Sequence, residues 1–239
     1  MSTGYILLEG GAEFGGRMEQ PDRRALQLAG GIHVPVAIIP AAAAPDNNHV
    51  RAGENGIRWF RSLGAKEVAS LPLIDRQSAD RPDVVEALTR ARFIYMLGGF
   101  PGHLAESLAG SRSWEAILSA NRDGAVVGGS SAGAMVLCQH LYDPYAGVLL
   151  PGLNLIPNAC IIPHHNRVGK NNRSGKNWIA QLHSLLPDCT LVGIDEQTGA
   201  INDAGADRWT VYGKGAVTLY QENRIEPYPE NQTFYLPIG

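Results

Sequence analysis

Residues 125–134 read AVVGGSSAGA and carry the most informative pattern in the chain. The apolar start predicts a buried strand, and residues 135–139 are compatible with a helix. Between the two lies a turn of small residues with Ser131 at its centre. A serine flanked by glycines at positions 129 and 133 is typical of a nucleophile elbow, in which a tight strand-to-helix turn projects the serine from the edge of a sheet.

A strand-to-helix turn rich in glycine also has simpler interpretations: it can be an ordinary turn, or it can bind a phosphate at the helix N-terminus. We favour the elbow because the residues on both sides of Ser131 are all small and lie in the required context. The N–H of Ala132 then lies at the start of a helix, where it can hold an oxyanion. A second turn, Gly98-Gly99, follows another apolar run and can supply a second N–H, from Gly99.

Short apolar runs alternate with helix-length amphipathic segments along the first half of the chain. Strands are predicted at residues 5–8, 36–39, 67–73, 93–97 and 125–127, and helices at 23–28, 48–63, 82–91 and 113–121. Strands that are almost continuously apolar need cover on both faces. The alternation therefore predicts an α/β fold with a doubly wound, mostly parallel sheet.

The second half is less regular. Residues 142–158 are rich in Pro, Gly and Asn and are expected to form loops over the sheet, followed by a helix near 178–185. Short runs predict antiparallel C-terminal edge strands, at 191–194, 200–202, 208–211 and 216–220. With no repeat or low-complexity segment between the halves, residues 1–239 are expected to form a single hydrolytic α/β domain.

Composition excludes several classes of protein. The net charge of −3, with 20 basic and 23 acidic residues, lacks the basic surface that nucleic-acid binding requires. The longest apolar run, residues 34–44, is too short to cross a membrane, and the N-terminus has no signal-peptide pattern, so a cytoplasmic location is expected. The three cysteines are odd in number and widely spaced, which favours neither disulfides nor a zinc site, and no metal is expected.

A serine nucleophile needs a base and an orienting acid. His164 and His165 stand together after the apolar residues 161–163, at a predicted strand end. Asp195 and Glu196 follow the predicted strand 191–194. The residues alone leave open which histidine and which acid take part, and each could also be an ordinary solvated side chain.

In these segments the chain resembles the serine peptidases of the peptidase E and cyanophycinase family. The resemblance rests on Gly10-Gly11-Ala12-Glu13, Gly98-Gly99, the elbow at 129–134, Pro163-His164 and Gly193-Ile194-Asp195-Glu196. It implies a flavodoxin-like or class I glutamine-amidotransferase-like fold. It also implies that Ser131 is the nucleophile, His164 the base and Glu196 the acid, with the backbone of Gly99 and Ala132 as the oxyanion hole.

The chain departs from the family pattern near the expected substrate. Phe100-Pro101 follows the glycine pair where family members have a polar pair, which predicts a more apolar pocket and weak aspartyl preference. Candidate substrate-binding residues are Phe100, His165, Arg167 and Arg173. The two arginines could clamp a carboxylate, because guanidinium groups bind carboxylates bidentately, or they could be solvated loop charges.

The resulting hypothesis is a serine-dependent hydrolase of peptide or isopeptide bonds in short substrates, acting through an acyl-enzyme and without a cofactor. The expected partner is therefore a small peptide or isopeptide, with no nucleic acid and no membrane; a homo-oligomer is left open. The alternative is a non-catalytic protein that binds a small molecule or peptide on the same fold. A glutamine amidotransferase is disfavoured, because such enzymes usually have the more nucleophilic cysteine at the elbow.

Overall fold

The computed structural model describes residues 4–167, 176–205, 207–221 and 224–239, and these form two β-sheets with helices packed on them. The strands are β1 (Tyr5–Glu9), β2 (Pro35–Ile39), β3 (Glu67–Ser70), β4 (Phe93–Met96), β5 (Val126–Ser130), β6 (Cys138–Asp143), β7 (Val148–Pro151), β8 (Ile156–Ile162), β9 (Thr190–Ile194), β10 (Thr198–Ile201), β11 (Arg208–Gly213), β12 (Ala216–Gln221), β13 (Arg224–Pro229) and β14 (Thr233–Tyr235). The helices are α1 (Glu19–Ala29), α2 (His49–Ser62), α3 (Pro82–Arg90), α4 (Pro101–Leu108), α5 (Arg112–Arg122), α6 (Ala132–Met135) and α7 (Lys176–Leu185).

The first sheet has eight strands in the order β14-β11-β10-β1-β5-β4-β2-β3. From β1 to β3 the neighbours are parallel, so their carboxyl ends share one edge. The strands β10, β11 and β14 extend the sheet antiparallel beyond β1. The central strand β5, between β1 and β4, delivers Ser131 to the middle of that edge.

Apolar side chains fill both faces of this sheet, which explains why its strands are apolar at almost every position. Leu7 of β1 packs with residues of α1 and α2, including Leu26 and Phe60. The neighbouring Leu8 points to the opposite face and belongs to the cluster that contains residues of α3 and α5, such as Leu88. Successive side chains on a strand alternate in this way, and helices therefore cover both faces.

The second sheet has six strands in the order β13-β12-β9-β8-β6-β7. Its middle strands β6, β8 and β9 are parallel, and the outer pairings are antiparallel. It shares the main apolar cluster with the first sheet, since Ile161 of β8 and Val217 of β12 belong to that cluster. The end of β8 leads directly to His164.

The α/β class and the antiparallel strands beyond β1 agree with the sequence prediction, but a single mostly parallel sheet is not confirmed. Among the described residues, six strand pairings are parallel and six are antiparallel. The loops predicted at 142–158 include strand β7 and the beginning of β8. The prediction failed because proline and glycine in this segment mark turns. Local composition does not show that the residues between these turns pair as strands.

Two helix assignments also differ from prediction. The helix after Ser131 ends at Met135, and the chain enters β6 at Cys138, so the helix expected over 135–139 is wrong. The physical reason is that Val136, Leu137 and Cys138 are all buried on the way into the second sheet. Helix α4 was not predicted; it begins with Pro101, a residue favoured in the first helical turn.

No helix in the described part of the chain is both long and apolar enough to cross a membrane.

Candidate active site

Ser131 lies between β5 and α6 in a strained backbone conformation, with φ +50° and ψ −111°. Its N–H donates to the carbonyl of Glu9 at 2.9 Å, which ties the turn to β1. The neighbouring glycines are required by close packing: a Cβ on Gly133 would lie 2.1 Å from the carbonyl oxygen of Met96, and one on Gly129 would lie 2.6 Å from the carbonyl carbon of Gly133. Small residues therefore allow the turn to present the serine side chain.

His164 and Glu196 form a hydrogen-bonded chain with this serine. Ser131 Oγ lies 3.0 Å from His164 Nε2, and His164 Nδ1 lies 2.8 Å from Glu196 Oε1. A carboxylate at Nδ1 favours the tautomer with the proton on that nitrogen, which leaves Nε2 free to accept the proton of the serine hydroxyl. Both the imidazole and the carboxylate are about one-third exposed, at 33% and 31%, so substrate and water can reach them.

The backbone holds His164 against the end of β1. His164 has φ +52°, and its N–H donates to the carbonyl of Gly10 at 2.7 Å. The N–H of Gln197 donates to the carbonyl of Gly11, which brings the segment with Glu196 to the same place. Segments that follow β5, β8 and β9 therefore meet beside β1.

His165 and Asp195 form a separate, buried pair. His165 Nδ1 lies 3.1 Å from Asp195 Oδ1, and its Nε2 lies 2.7 Å from the hydroxyl of Tyr220. The residue is only 5% exposed, and a Cβ on Gly193 would lie 2.6 Å from the ring. Packing within the second sheet therefore turns the His165 ring inward, away from the position expected for a contact with substrate.

The turn that contains Gly99 lies beside the nucleophile, since a Cβ on Gly98 would be 3.4 Å from Ser131 Cβ. Gly99 has φ +140°, and a Cβ there would lie 2.2 Å from the carbonyl oxygen of Ala42, so glycine is required. Across the described ranges, neither Gly99 nor Ala132 donates its N–H to another protein group. The turn that contains Gly99 and the first residue of α6, Ala132, thus both lie next to Ser131.

The other predicted substrate residues differ in position. Phe100 stacks on Tyr145 with ring centroids 4.3 Å apart and forms an aromatic wall beside the glycine turn. The Arg167 side chain is 67% exposed, and its Nη1 lies 3.7 Å from Glu196 Oε1. An exposed contact of that length is weak, so it places a positive charge near the acid rather than a rigid clamp. Arg173 lies outside the described residues.

Glu13 was not singled out as a site residue from the sequence, although it ends the segment Gly10-Gly11-Ala12-Glu13. Its Oε2 accepts a hydrogen bond from Ser130 Oγ at 3.0 Å, and Oε1 would be 3.2 Å from a Cβ on Gly98. It also lines a cavity of about 580 Å³. The available signal was an acid just after the first strand, at the edge where Ser131 also emerges.

A buried acidic pair lies behind this edge. Glu9 and Asp22 are both fully buried; Tyr95 donates its hydroxyl to Glu9, and Trp59 Nε1 donates to Asp22 Oδ2 at 2.7 Å. Burial raises the pKa of Glu9 well above 4.5 and that of Asp22 to about 7, and the nearby charge of Asp22 raises the pKa of Glu9 further. Glu9 therefore keeps its proton at neutral pH, and Asp22 is close to its titration midpoint there.

The described residues contain no cluster of three or more His, Cys, Asp or Glu side chains arranged to hold a metal ion. The three cysteines are buried, and burial raises the pKa of both the Cys160 and Cys189 thiols to about 12. These thiols stay protonated at neutral pH and are poor nucleophiles.

Comparison with known proteins identifies the family. The pattern of Peptidase family S51 matches residues 6–205. The chain is 31% identical over 227 residues to a cyanophycinase from Geminocystis herdmanii, covering 90% of this chain and 79% of the relative. It is 30% identical over 240 residues to a cyanophycinase from Synechococcus elongatus, covering 98% of this chain and 72% of the relative.

Solved structures agree. A crystal structure of a peptidase from an acI-B1 Actinobacterium superposes with a TM-score of 0.82 at 26% identity, covering 98% of this chain and 97% of that one. A putative peptidase E from Listeria monocytogenes, with a TM-score of 0.59, 15% identity and 95% and 99% coverage, shares the fold. These likenesses define an enzyme of the serine peptidase class, of the cyanophycinase and peptidase E type. The chain belongs to Peptidase family S51.

Proposed function

We propose that this peptidase hydrolyses peptide or isopeptide bonds in short substrates through an acyl-enzyme on Ser131. The observation that carries the proposal is the hydrogen-bonded chain from Ser131 Oγ through His164 to Glu196, on a serine whose backbone is strained at a strand-to-helix turn. Strain of this kind persists where the surrounding structure enforces it, and it is common at active sites.

In the first half of the reaction, Ser131 Oγ attacks the substrate carbonyl carbon while His164 Nε2 takes the hydroxyl proton. The carbonyl oxygen becomes an oxyanion, which accepts hydrogen bonds from the N–H groups of Gly99 and Ala132. The C–N bond then breaks as Nε2 returns the proton to the leaving amine. The product of this half is an ester between the substrate acyl group and Ser131.

In the second half, water attacks the ester carbonyl carbon and gives a proton to His164 Nε2. When the new tetrahedral intermediate collapses, the bond to Ser131 Oγ breaks and Oγ recovers the proton. The substrate acyl group leaves as a carboxylic acid. Throughout, Glu196 accepts from Nδ1–H and stabilises the imidazolium that forms twice in the cycle.

We also propose that the chain works as one domain in the cytoplasm. Three buried, unpaired cysteines are compatible with a reducing compartment, where disulfides are rare. The sequence leaves open whether the chain forms a homo-oligomer, and a measurement of its mass in solution decides this.

A fluorophosphonate probe and one substitution test the central claim. The probe should label the protein on Ser131, and Ser131→Ala should lose both labelling and hydrolysis, by about 10⁴-fold or more, while keeping its thermal stability. Ser119→Ala, at an exposed position of α5, is the matched control. Near-native turnover in Ser131→Ala would overturn the proposal, and an intact protein that neither labels nor hydrolyses any peptide would favour the non-catalytic alternative.

A further inference from the structure

The loop between β6 and β7 carries an exposed aromatic side chain to the turn that lies beside Ser131. Tyr145 is 64% exposed, yet its ring is stacked on Phe100, with centroids 4.3 Å apart and planes 24° from parallel. Phe100 directly follows Gly99, whose N–H belongs to the proposed oxyanion hole. A lone exposed tyrosine is ordinary on a protein surface. A stacked aromatic pair beside the reacting atoms, however, is a surface that a substrate contacts.

A buried carboxylate touches both segments that carry this aromatic pair. Asp143, at the end of β6, is 9% exposed, and its Oδ1 accepts hydrogen bonds from the N–H groups of Tyr145, at 2.8 Å, and Ala146, at 3.3 Å. Its Oδ2 lies against the first turn of α4, where a Cβ on Gly102 would approach it to 2.3 Å. Helix α4 begins directly after Phe100. The two rings are therefore held in place before a substrate arrives, which reduces the entropy lost on binding.

The topology of the second sheet places the pair on the leaving-group side of Ser131. β6 and β8 are parallel neighbours, so their carboxyl ends share an edge. His140 pairs with Cys160, and extending that register puts the end of β6 level with the end of β8, which leads to His164. In the proposed mechanism, His164 gives its proton to the leaving amine. The residue attached to that amine therefore lies beside the loop that carries Tyr145.

The surface offered by this loop is apolar. Residues 144–148 read PYAGV and carry no charge, and the Asp143 carboxylate is occupied by backbone N–H groups. Val148, at the start of β7, is 43% exposed and adds a further apolar side chain. Aromatic rings bind flat and branched apolar side chains through stacking and dispersion, and they offer no hydrogen-bond donor to a carboxylate.

We propose that Tyr145 and Phe100 bind the side chain of the leaving-group residue, so that the enzyme prefers short peptides in which an aromatic or large apolar residue follows the scissile bond. Tyr145 supplies the exposed ring, and Phe100 supports it from below. Because Phe100 is next to Gly99, it also borders the acyl residue. The inference rests on the proposed function, since it assumes attack by Ser131 and proton delivery by His164.

Two sets of dipeptides test the proposal on the full chain. In the first set, the acyl residue is constant and the leaving residue is phenylalanine, leucine, alanine or arginine; in the second, the leaving residue is constant and the acyl residue varies. Wild-type kcat/KM should be about 10- to 100-fold higher for a leaving phenylalanine than for a leaving alanine. Tyr145→Ala should lower that ratio by about 3- to 10-fold, chiefly through KM, and should leave the acyl preference unchanged.

Two further variants serve as controls. Tyr145→Phe keeps the ring and should keep the wild-type ratio. Tyr235→Ala removes a tyrosine of similar exposure, 61%, from the edge strand β14 and should also keep the wild-type ratio. Thermal unfolding of each variant separates a change in selectivity from a loss of folded protein.

The possible failures are distinguishable. Equal wild-type rates for all leaving residues would overturn the aromatic subsite and leave the peptidase proposal intact. A wild-type ratio retained in Tyr145→Ala, or an effect of that variant confined to the acyl set, would do the same. A preference for leaving arginine over phenylalanine would indicate a cation–π contact and overturn the apolar assignment. Absence of fluorophosphonate labelling together with absence of hydrolysis would overturn both proposals.

Discussion

The imidazole of His164 occupies the space that a side chain on Gly11 would fill. A Cβ at Gly11 would lie 2.2 Å from His164 Cε1 and 2.5 Å from Nδ1. Gly11 also has φ +120°, a conformation that residues with a Cβ rarely adopt. Gly11, just after the first strand, therefore lies directly against the imidazole of the proposed general base.

Gly11→Ala should therefore displace the His164 ring and lower kcat/KM by about 100-fold, because a shift of roughly 1 Å at a reacting group can cost that much. Steady-state kinetics with thermal unfolding on the same sample separates loss of rate from loss of fold. Gly15→Ala is the control, since a Cβ there meets nothing within 4 Å. Wild-type kinetics in Gly11→Ala would contradict the assigned position of the base.

His164→Ala and His165→Ala should have opposite effects. The first removes the partially exposed base and should lower turnover by about 10²- to 10⁴-fold with little change in the free energy of unfolding. The second leaves the Asp195 and Tyr220 side chains without their shared partner and should destabilise the fold by about 1–3 kcal/mol, with turnover retained where the protein is folded. Kinetics and urea unfolding of both variants check this, and a reversed pattern would exchange the two roles.

Asp22 should make the stability of the protein depend on pH. Burial raises its pKa from 3.8 to about 7, so between these values the folded state holds a proton that the unfolded state releases. The free energy of unfolding contributed by this group is complete below about pH 4 and is lost as the pH rises toward 7, with a slope of up to about 1.4 kcal/mol per pH unit.

Asp22→Asn should flatten that slope. Urea unfolding at several pH values between about 4 and 8 measures the difference, with Asp46→Asn, at an exposed position, as the control. Equal slopes in the wild type and Asp22→Asn would show that the Asp22 carboxyl is not the group that titrates.

Substrate selectivity should show only a weak preference for aspartyl residues. Phe100 and Tyr145 form an aromatic wall, and an apolar surface discriminates by only about 1–3 kcal/mol per methylene. Rates on unblocked Asp-X and neutral dipeptides should therefore differ by no more than about 10- to 200-fold, with both classes cleaved. Cleavage confined to Asp-X or β-aspartyl members of a library would contradict this and indicate a carboxylate clamp that includes Arg167 or Arg173.

The position of Ser131 could be predicted because its signal is local. Strand, turn and helix lie within about ten residues, and only glycine and other small residues satisfy the contacts of the turn. The parallel strands of the first sheet were predictable for a similar reason, since burial on both faces leaves an apolar run that can be read along the chain. The second sheet could not be predicted in this way. The residues around β7 and β8 are typical of turns, and local composition does not show pairing with strands that lie far apart in sequence.

The sequence alone could not distinguish His164 from His165, or Glu196 from Asp195. The members of each pair differ in the direction in which their side chains point. In each pair the two residues are adjacent and chemically similar, and a resemblance to relatives favoured one of them without a physical reason. In the structure, His165 and Asp195 fill the interior beside Tyr220, which leaves His164 and Glu196 at the edge with Ser131. Glu13 likewise meets Ser130 across 117 positions of the chain. The residue types and their local backbone were enough to predict which residues can do chemistry. Which of them come into contact could be learned only from the folded chain, because those contacts arise when strands distant in sequence pack together.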